Sequence, residues 1–133
     1  MNIKSLIILV LCASIIKIIA IYTTDFDFFG DEAQYWLWSQ KLDLGYYSKP
    51  PLLAWVIGFV SLLIGDSFAA LKFIPLIFYI LSSFIIYLLY AELFKNKISA
   101  LICAMSFILI PSVSVSSFII STDVILILFW SLS

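Results

Sequence analysis

The sequence contains no histidine, and its seven basic residues are all lysines, so arginine is absent as well. These absences exclude imidazole acid–base chemistry, histidine metal ligands and bidentate guanidinium contacts from this chain. Charge of either sign is scarce, at 11% of residues, where soluble domains carry about 25%. The formal net charge is −1 and no basic patch is present. We therefore expect no nucleic-acid partner.

Apolar residues dominate what is present, at 65% of the chain. Several apolar runs approach the ~20 residues that span a bilayer, which predicts an integral membrane protein. Lys4 and the apolar run after it resemble a signal peptide, but the run resumes after Lys17 and no small-x-small cleavage site follows. We favour an uncleaved first transmembrane helix, in which Lys17 extends its ammonium to the headgroups. Cys12 and Cys103 lie in apolar runs and are interpreted as small core residues, with no support for a disulfide between them.

The order of apolar runs predicts an all-α integral membrane fold, a multi-span helical bundle in a single transmembrane domain over residues 1–133. The predicted spans are about 5–22, 68–94, 98–117 and a truncated 124–133. An external loop over 23–67 is predicted to carry juxtamembrane helices at about 31–42 and 50–65.

Orientation depends on the 50–65 stretch, whose sixteen residues make a helix of about 24 Å, shorter than a ~30 Å hydrocarbon core. If this helix crossed, Lys95 and Lys97 would lie outside, against the positive-inside tendency. If it lies in the outer interface, Lys4, Lys95 and Lys97 are all cytoplasmic, and we favour this threading. The other side then gathers Asp25, Asp27, Asp31, Glu32, Asp43, Lys49, Asp66, Lys72 and Asp123.

The polar stretch before the Pro50-Pro51 pair carries the adjacent carboxylates Asp31 and Glu32. Asp31 is predicted to cap a helix, with Glu32 in its first turn and Tyr35, Trp38 and Leu42 on one apolar face. Such a pair can simply cap an interfacial helix. Its position beside aromatic residues and a Lys-Pro-Pro sequence, at a membrane face, favours a functional site instead.

Four further residues enter this candidate site. Lys49 either lies among lipid headgroups or binds a specific phosphate as a point charge. Asp123 follows Ser121 and Thr122, and it either caps the next apolar helix or is a functional charge that would be costly to bury. Tyr46 and Tyr47 offer aromatic surfaces on which a substrate could stack.

Residues 31–55, DEAQYWLWSQKLDLGYYSKPPLLAW, resemble the first external loop of bacterial membrane glycosyltransferases related to protein O-mannosyltransferases and the lipid A aminoarabinose transferase. Residues 121–130, STDVILILFW, are similar to the stretch that opens a later span in that family. The resemblance implies a GT-C fold and transfer of a hexosyl or pentosyl sugar from a polyprenyl-phosphate donor. The implied acceptor is a lipid, a protein or a glycan at the external membrane face.

The resemblance also implies roles for individual residues. Asp31 matches the catalytic carboxylate that activates the acceptor, Lys49 matches the residue associated with the lipid phosphate, and Glu32 and Asp123 are supporting acidic residues. The family often has an acidic residue where this chain has Ser48, so the divalent metal that this residue would contact has no assigned ligand here and the cofactor is left unknown. Relatives commonly have arginine at the position of Lys72.

The implied setting is the bacterial plasma (inner) membrane, with a cytoplasmic N-terminus and a periplasmic active loop. Relatives are several times longer, so we expect an N-terminal fragment or split-gene product that is inactive without a downstream chain. The alternative is a non-catalytic membrane module or accessory subunit whose aromatic residues anchor it at the interface.

Overall fold

The computed structural model describes residues 3–23, 30–47 and 49–133, and over these ranges it is entirely helical, with no strand. Asp25, Asp27 and Ser48, for which the sequence suggested positions or contacts, lie outside the described residues. The helices in chain order are α1 (Ile3–Thr23), α2 (Gly30–Ser39), α3 (Leu52–Ile64), α4 (Phe68–Phe94), α5 (Lys97–Leu109), α6 (Pro111–Ser116) and α7 (Thr122–Leu132).

Helix α4 is the element against which α1, α3, α5 and α7 pack. Its start is capped by Ser67, whose side-chain oxygen accepts a hydrogen bond from the Ala70 backbone N–H at 3.2 Å. Its segment Ala69–Phe94, with a mean hydropathy of 2.2, is the one stretch among the described residues that is long and apolar enough to cross a bilayer by itself. The apolar parts of α1, α3, α5 and α7 are shorter. How many of them cross a membrane stays a prediction.

Helix α1 runs antiparallel to α4. The Tyr22 ring lies 6.4 Å from the Phe73 ring, between centroids, near the start of α4. Val10, in contrast, packs in one cluster with Tyr87, near the end of α4. We call the end of the molecule that contains Lys4, Lys95 and Lys97 the Lys95 end, and the opposite end, where α2, α4 and α7 begin, the Glu32 end.

A purely apolar cluster joins α1, α4 and α5 toward the Lys95 end. Its buried members are Val10, Tyr87, Ala100, Leu101, Ala104 and Ile108. Ala100 and Ala104 are both 0% exposed, and small side chains of this kind let two helix backbones approach closely. The Ser83 hydroxyl uses this proximity to donate a hydrogen bond across to the Ala104 carbonyl at 3.1 Å.

A second cluster lies at the Glu32 end and unites four parts of the chain. It contains Tyr35 from α2, Leu53 and Ile57 from α3, Leu71 and Ile74 from α4, and, from the last part of the chain, Ile120 just before α7 and Ile125 within it. We call these two groups the Lys95-end cluster and the Glu32-end cluster.

Both ends of α3 lie at the Glu32 end of the molecule. Its last residue, Ile64, is followed by a short turn to the start of α4, and Gly65 in that turn adopts φ +92°, a conformation that favours glycine. Its first residue, Leu52, lines a cavity together with Thr122 at the start of α7. The juxtamembrane prediction for 50–65 requires this placement, although the position of α3 relative to a membrane stays a prediction.

The stretch predicted as one span over 98–117 is divided into two helices. Helix α5 ends at Leu109, Ile110 leaves the helical region with φ −56° and ψ 129°, and α6 begins at Pro111. The cause is local, because a residue that precedes proline is sterically disfavoured in the α conformation.

Three predictions about α2 are wrong in detail. The helix begins at Gly30, so Asp31 lies within the first turn rather than at the cap position. It ends at Ser39 instead of continuing to 42, since the chain turns there and the backbone N–H of Lys41 bonds to the Trp38 carbonyl at 3.2 Å. Leu42 is therefore outside the helix and exposed, whereas Tyr35 is buried as expected.

The interpretation of Lys17 as a headgroup-facing residue is wrong, since Lys17 is buried, with Ser14 and Ile21, on the packed face of α1. The core assignment for Cys12 is also wrong, because Cys12 is exposed and Cys103 only partly buried. Both cysteines are free. Helical periodicity explains these results: Ser14, Lys17 and Ile21 follow each other at three and four residues and share one face, from which Cys12 is displaced.

Candidate active site

A buried ion pair between Glu32 and Lys72 organises the Glu32 end. The Lys72 ammonium lies 2.7 Å from each carboxylate oxygen of Glu32, and the two side chains, Lys72 and Glu32, are 4% and 0% exposed. Lys72 also donates to the backbone carbonyl of Phe118 at 2.8 Å. The Oε1 atom of Glu32 accepts a further hydrogen bond from the backbone N–H of Ile120 at 2.6 Å.

These contacts join three segments that are far apart in the sequence. Glu32 lies in the first turn of α2, Lys72 in the first turns of α4, and Phe118 and Ile120 in the segment 117–121 between α6 and α7. Each buried charge is paired and further hydrogen-bonded, as burial of an ionised group demands. The first turn of α2 is thereby fixed against the segment that precedes α7.

Asp31, the predicted catalytic residue, lies next to this ion pair but is exposed. Among the described residues, no hydrogen bond or ion pair engages its side chain. The adjacent carboxylates therefore differ in character: Glu32 is enclosed and paired, whereas Asp31 is available to solvent or to a substrate.

Asp123, predicted as a supporting acidic residue, is also exposed and lies in the first turn of α7. It follows Ile120 by three residues, a separation of at most about 10 Å along the chain. Since Ile120 is bound to Glu32, Asp123 and Asp31 belong to the same end of the molecule. The helix is not capped by a side-chain hydrogen bond from Ser121.

An apolar cavity of about 270 Å³ lies between the start of α3 and the first turns of α7. It is lined by Pro50, Leu52, Leu53, Thr122, Ile125, Leu126 and Phe129. Two of these residues adjoin predicted site residues in the sequence: Lys49 precedes Pro50, and Asp123 follows Thr122. Lys49 itself is half-buried. The structure thus brings the Lys-Pro-Pro and Ser-Thr-Asp stretches together around an apolar space.

The predicted stacking residues Tyr46 and Tyr47 have different environments. One face of the Tyr46 ring stacks on Trp38 with centroids 4.8 Å apart and planes at 12°. Its hydroxyl lies 3.0 Å from the Trp38 carbonyl and accepts from the Asp43 backbone N–H at 3.1 Å. Tyr46 therefore fixes the turn after α2 and has one ring face covered. Tyr47 is fully exposed.

The indole N–H of Trp55 donates to the Asp43 carbonyl at 2.9 Å, which joins α3 to the same turn. Gly58 in α3 allows the end of α2 to come close, since a Cβ there would lie 3.2 Å from the Ser39 carbonyl oxygen. These contacts hold α2 and α3 together as a hairpin. Asp31 is at one end of it and Lys49 just before its second helix.

The described residues offer no group of three or more cysteine or carboxylate side chains that could hold a metal ion. Ser48, the position on which the metal prediction depended, lies outside the described residues. The cofactor therefore stays a prediction, and no chemical step is assigned to a metal.

Lys72 is the residue whose role the sequence reasoning missed. The sequence places it among the external charges and at a position where relatives commonly have arginine, but it does not connect it to Glu32. A signal was present, since a lysine in the first turns of a helix opposes the helix dipole and an isolated charge in a long apolar run needs a partner. Nothing in the sequence indicated which of the acidic residues that partner is.

The family model for dolichyl-phosphate-mannose-protein mannosyltransferases matches residues 48–133, more than half of the chain. The chain belongs to this mannosyltransferase family. The expected relationship to GT-C membrane glycosyltransferases is thereby confirmed.

Similarity to a curated relative extends over nearly all of the chain. A lipid A galacturonosyltransferase of Rhizobium johnstonii is 38% identical over an alignment of 133 positions that covers 97% of this chain. The chain spans 27% of that relative's length. No solved structure gives a significant match. This mannosyltransferase-family chain therefore corresponds to about a quarter of the relative that it matches.

Proposed function

We propose that this chain forms part of a membrane glycosyltransferase that moves a sugar from a polyprenyl-phosphate donor to a hydroxyl group of a lipid, protein or glycan acceptor. The family assignment supports glycosyl transfer as the general reaction. The donor class, the acceptor and the roles of individual residues are parts of the proposal.

The observation that carries this proposal is the apolar cavity between α3 and α7, whose lining residues adjoin Lys49 on one side and Asp123 on the other. A polyprenyl phosphate has an apolar chain and an anionic head. An apolar cavity next to a half-buried lysine offers complementary surfaces to both parts of such a molecule. The cavity size suits a few isoprene units adjacent to the phosphate rather than the whole chain.

The chemistry assigned to the residues follows from the bonds that change. The acceptor hydroxyl attacks the anomeric carbon, the bond from that carbon to the phosphate oxygen breaks, and the phosphate leaves with the bonding electrons. Asp31 accepts the hydroxyl proton, because it is exposed and unengaged among the described residues. The Lys49 ammonium stabilises the charge that develops on the leaving phosphate.

The other site residues have supporting roles in this proposal. Asp123 orients the acceptor or the sugar from the start of α7, and Tyr47 provides an exposed ring for stacking. Glu32 is enclosed by its partners and does not reach a substrate. The name of the Rhizobium relative makes lipid A and a galacturonosyl donor the first pair to test.

The proposal places the reaction at the external face of a bacterial inner membrane. Antiparallel packing of α1 on α4 brings Lys4 to the end of the molecule that has Lys95 and Lys97, and the positive-inside tendency makes this end cytoplasmic. Membrane-impermeant labelling of single cysteines at positions 43, 96 and 121 tests the orientation. Positions 43 and 121 should react from outside and position 96 should not. Labelling of 96 together with 43 would contradict it.

The decisive experiment replaces Asp31 with Asn in the complete protein and measures sugar transfer in membranes. Removal of the general base should lower the rate at least 100-fold or so, within the range that acid–base catalysis contributes. The matched control is Asp66→Asn, which changes an exposed carboxylate in the α3–α4 turn and should leave transfer unchanged. Equal rates for Asp31→Asn and the unchanged protein would refute the assignment.

A binding experiment tests Lys49 without requiring catalysis. This chain in nanodiscs should bind a short polyprenyl phosphate, and Lys49→Met should weaken the binding by roughly tenfold, because one charge-assisted contact is lost. Lys41→Met removes an exposed lysine of the turn after α2 and serves as the control. If Lys49→Met and Lys41→Met bind the polyprenyl phosphate with equal affinity, Lys49 does not contact the phosphate.

A further inference from the structure

The contacts of Lys72 have a pattern that simple charge neutralisation does not require. Glu32 and Lys72 neutralise each other, yet each also contacts the backbone of segment 117–121: Lys72 through the Phe118 carbonyl and Glu32 through the Ile120 N–H. One donor and one acceptor of that segment are therefore matched to the anion and the cation. The two residues are therefore not interchangeable. Both backbone contacts form only if the acidic side chain comes from α2 and the basic side chain comes from α4.

The stability of the fold does not by itself call for such a pair. Desolvation of two charges offsets much of their attraction, and well-packed apolar residues often replace a buried pair without loss of stability. The surroundings would suit apolar residues, since Tyr35, Leu71 and Ile120 pack together in the Glu32-end cluster. What an apolar pair could not supply is directional contact with two specific backbone groups of segment 117–121.

Two of the three parts of the chain that these contacts join lie next to an exposed carboxylate in the sequence. Asp31 is adjacent to Glu32 in the first turn of α2, and Asp123 follows segment 117–121 in the first turn of α7. Both carboxylates are exposed. Among the described residues, the Glu32 side chain provides the hydrogen bond that joins α2 to this segment. The ion pair is thus the polar connection between the supports of the two carboxylates.

We propose that Lys72 is a positioning residue which, through Glu32 and segment 117–121, fixes the distance between the carboxylates of Asp31 and Asp123. This rests on the proposed function insofar as the two carboxylates act on one substrate. It assigns to Lys72 a role in the reaction without contact to substrate, and it separates the roles of the adjacent acids: Asp31 reacts, and Glu32 aligns.

An exchange of the two residues tests the proposal. The variant Glu32→Lys/Lys72→Glu keeps an ion pair between α2 and α4 and leaves the net charge unchanged. The ammonium introduced at position 32 cannot accept from the Ile120 N–H, and the carboxylate introduced at position 72 cannot donate to the Phe118 carbonyl. Both contacts to segment 117–121 are therefore lost. Lys72→Arg keeps a cation that can donate to both Glu32 and Phe118 and is the matched conservative variant.

Spin labels at Asp31→Cys and Asp123→Cys, with Cys12 and Cys103 replaced by Ala, report the distance between the two supports in this chain. The unexchanged chain and Lys72→Arg should give one narrow distance distribution, and the exchanged chain should lose that single peak. This readout does not depend on sugar transfer, so it stands if the proposed function fails. A narrow peak that survives the exchange would overturn the proposal.

In the complete protein the exchange should lower kcat by up to about 100-fold, the effect of misplacing a catalytic group by roughly 1 Å. The KM for the donor should be unchanged, and Lys72→Arg should retain most of the activity. Loss of the peak without a change in kcat would also overturn the positioning role.

If the exchanged chain fails to fold, the same distance and kcat measurements are made on Glu32→Met/Lys72→Met, which removes both charges. Failure of both variants to fold would count against the proposal, because the pair would then be a requirement of folding rather than of alignment.

Discussion

Toward the Lys95 end, α4 packs on α1 and α5 through buried apolar and small side chains, among them Ala100 and Ala104. At the Glu32 end, the same helix contacts α2 and segment 117–121 through a buried ion pair enclosed by apolar side chains. Packing between small side chains does not require particular atoms to meet, but it is sensitive to the volume of each side chain. An ion pair is sensitive to the particular atoms that it joins. The Lys95-end cluster therefore suits association of helices, and the Glu32-end cluster suits alignment of a site.

The exposed charges sharpen the same comparison. At the Lys95 end, Lys95 and Glu92 form an ion pair whose side chains are 72% and 80% exposed. At the Glu32 end, Asp31 and Asp123 are exposed without such a partner among the described residues. The carboxylates that are available to a ligand therefore lie at the end of the molecule where a buried ion pair is hydrogen-bonded to backbone groups of segment 117–121.

The largest expected effect on stability comes from breaking the buried pair on one side. Lys72→Met leaves the Glu32 carboxylate enclosed without its cation, which should lower the free energy of unfolding by about 3–5 kcal/mol. Unfolding in mixed micelles, followed by circular dichroism, measures the change. The double variant Glu32→Met/Lys72→Met should recover most of the loss. If Lys72→Met alone is neutral, the pair is not an ionised, enclosed contact.

An intermediate effect is expected from added volume at the other end. Ala104→Leu introduces three carbon atoms where Ala104 is 0% exposed against α4, and overpacking of this kind costs about 1–3 kcal/mol. The same unfolding assay applies. Ile102→Leu, at a position that is 58% exposed on the same helix, is the control and should be neutral. If Ala104→Leu leaves the free energy of unfolding unchanged, the α4–α5 interface is not closely packed at this position.

A smaller effect is expected from the helix caps at the two ends. The Asn96 side chain accepts hydrogen bonds from the N–H groups of Ile98 and Ser99, at 3.1 and 3.2 Å. Asn96→Ala should cost about 1 kcal/mol. The matched variant at the opposite end is Ser67→Ala, which removes the single bond to Ala70. Hydrogen exchange of the first turns of α5 and α4 should increase locally in each case, and unchanged exchange would show that the caps contribute nothing.

The smallest effect is expected at the exposed ion pair. Glu92→Gln removes one charge from a pair on the surface, where such pairs contribute about 0–1 kcal/mol. The unfolding midpoint should move little, and the difference should vanish at high salt. A loss comparable to that of Lys72→Met would remove the contrast between the two ends.

Much of the site could be predicted from the sequence because its parts are local. The Asp-Glu pair opens a helix and prolines precede α3, and each pattern depends on residues a few positions apart. The family resemblance, which the comparisons confirm, rested on the same short stretches. The errors in the ends of α2 and in the continuity of 98–117 are errors of boundary, where one turn or one proline decides.

What could not be predicted depends on the rotation and contact of distant helices. The sequence placed Lys17 in an apolar helix but not on its packed face, since that requires knowing which side of α1 meets α4. It also offered no means to choose the partner of Lys72 among eight acidic residues. Glu32 is 40 residues away, and Ile120 is 88 residues from Glu32.

The sequence by itself determined that this protein is helical and apolar. It also predicted that the charged residues gather on two opposite sides of the membrane, and that Asp31, Lys49 and Asp123 are candidate residues for sugar transfer. Those conclusions follow from composition and short-range pattern. Only the tertiary structure decided that Glu32 and Asp31, adjacent in the chain, have opposite environments. The reason is geometric: successive residues of a helix point about 100° apart, so one carboxylate turns toward α4 and Lys72 while its neighbour remains in solvent.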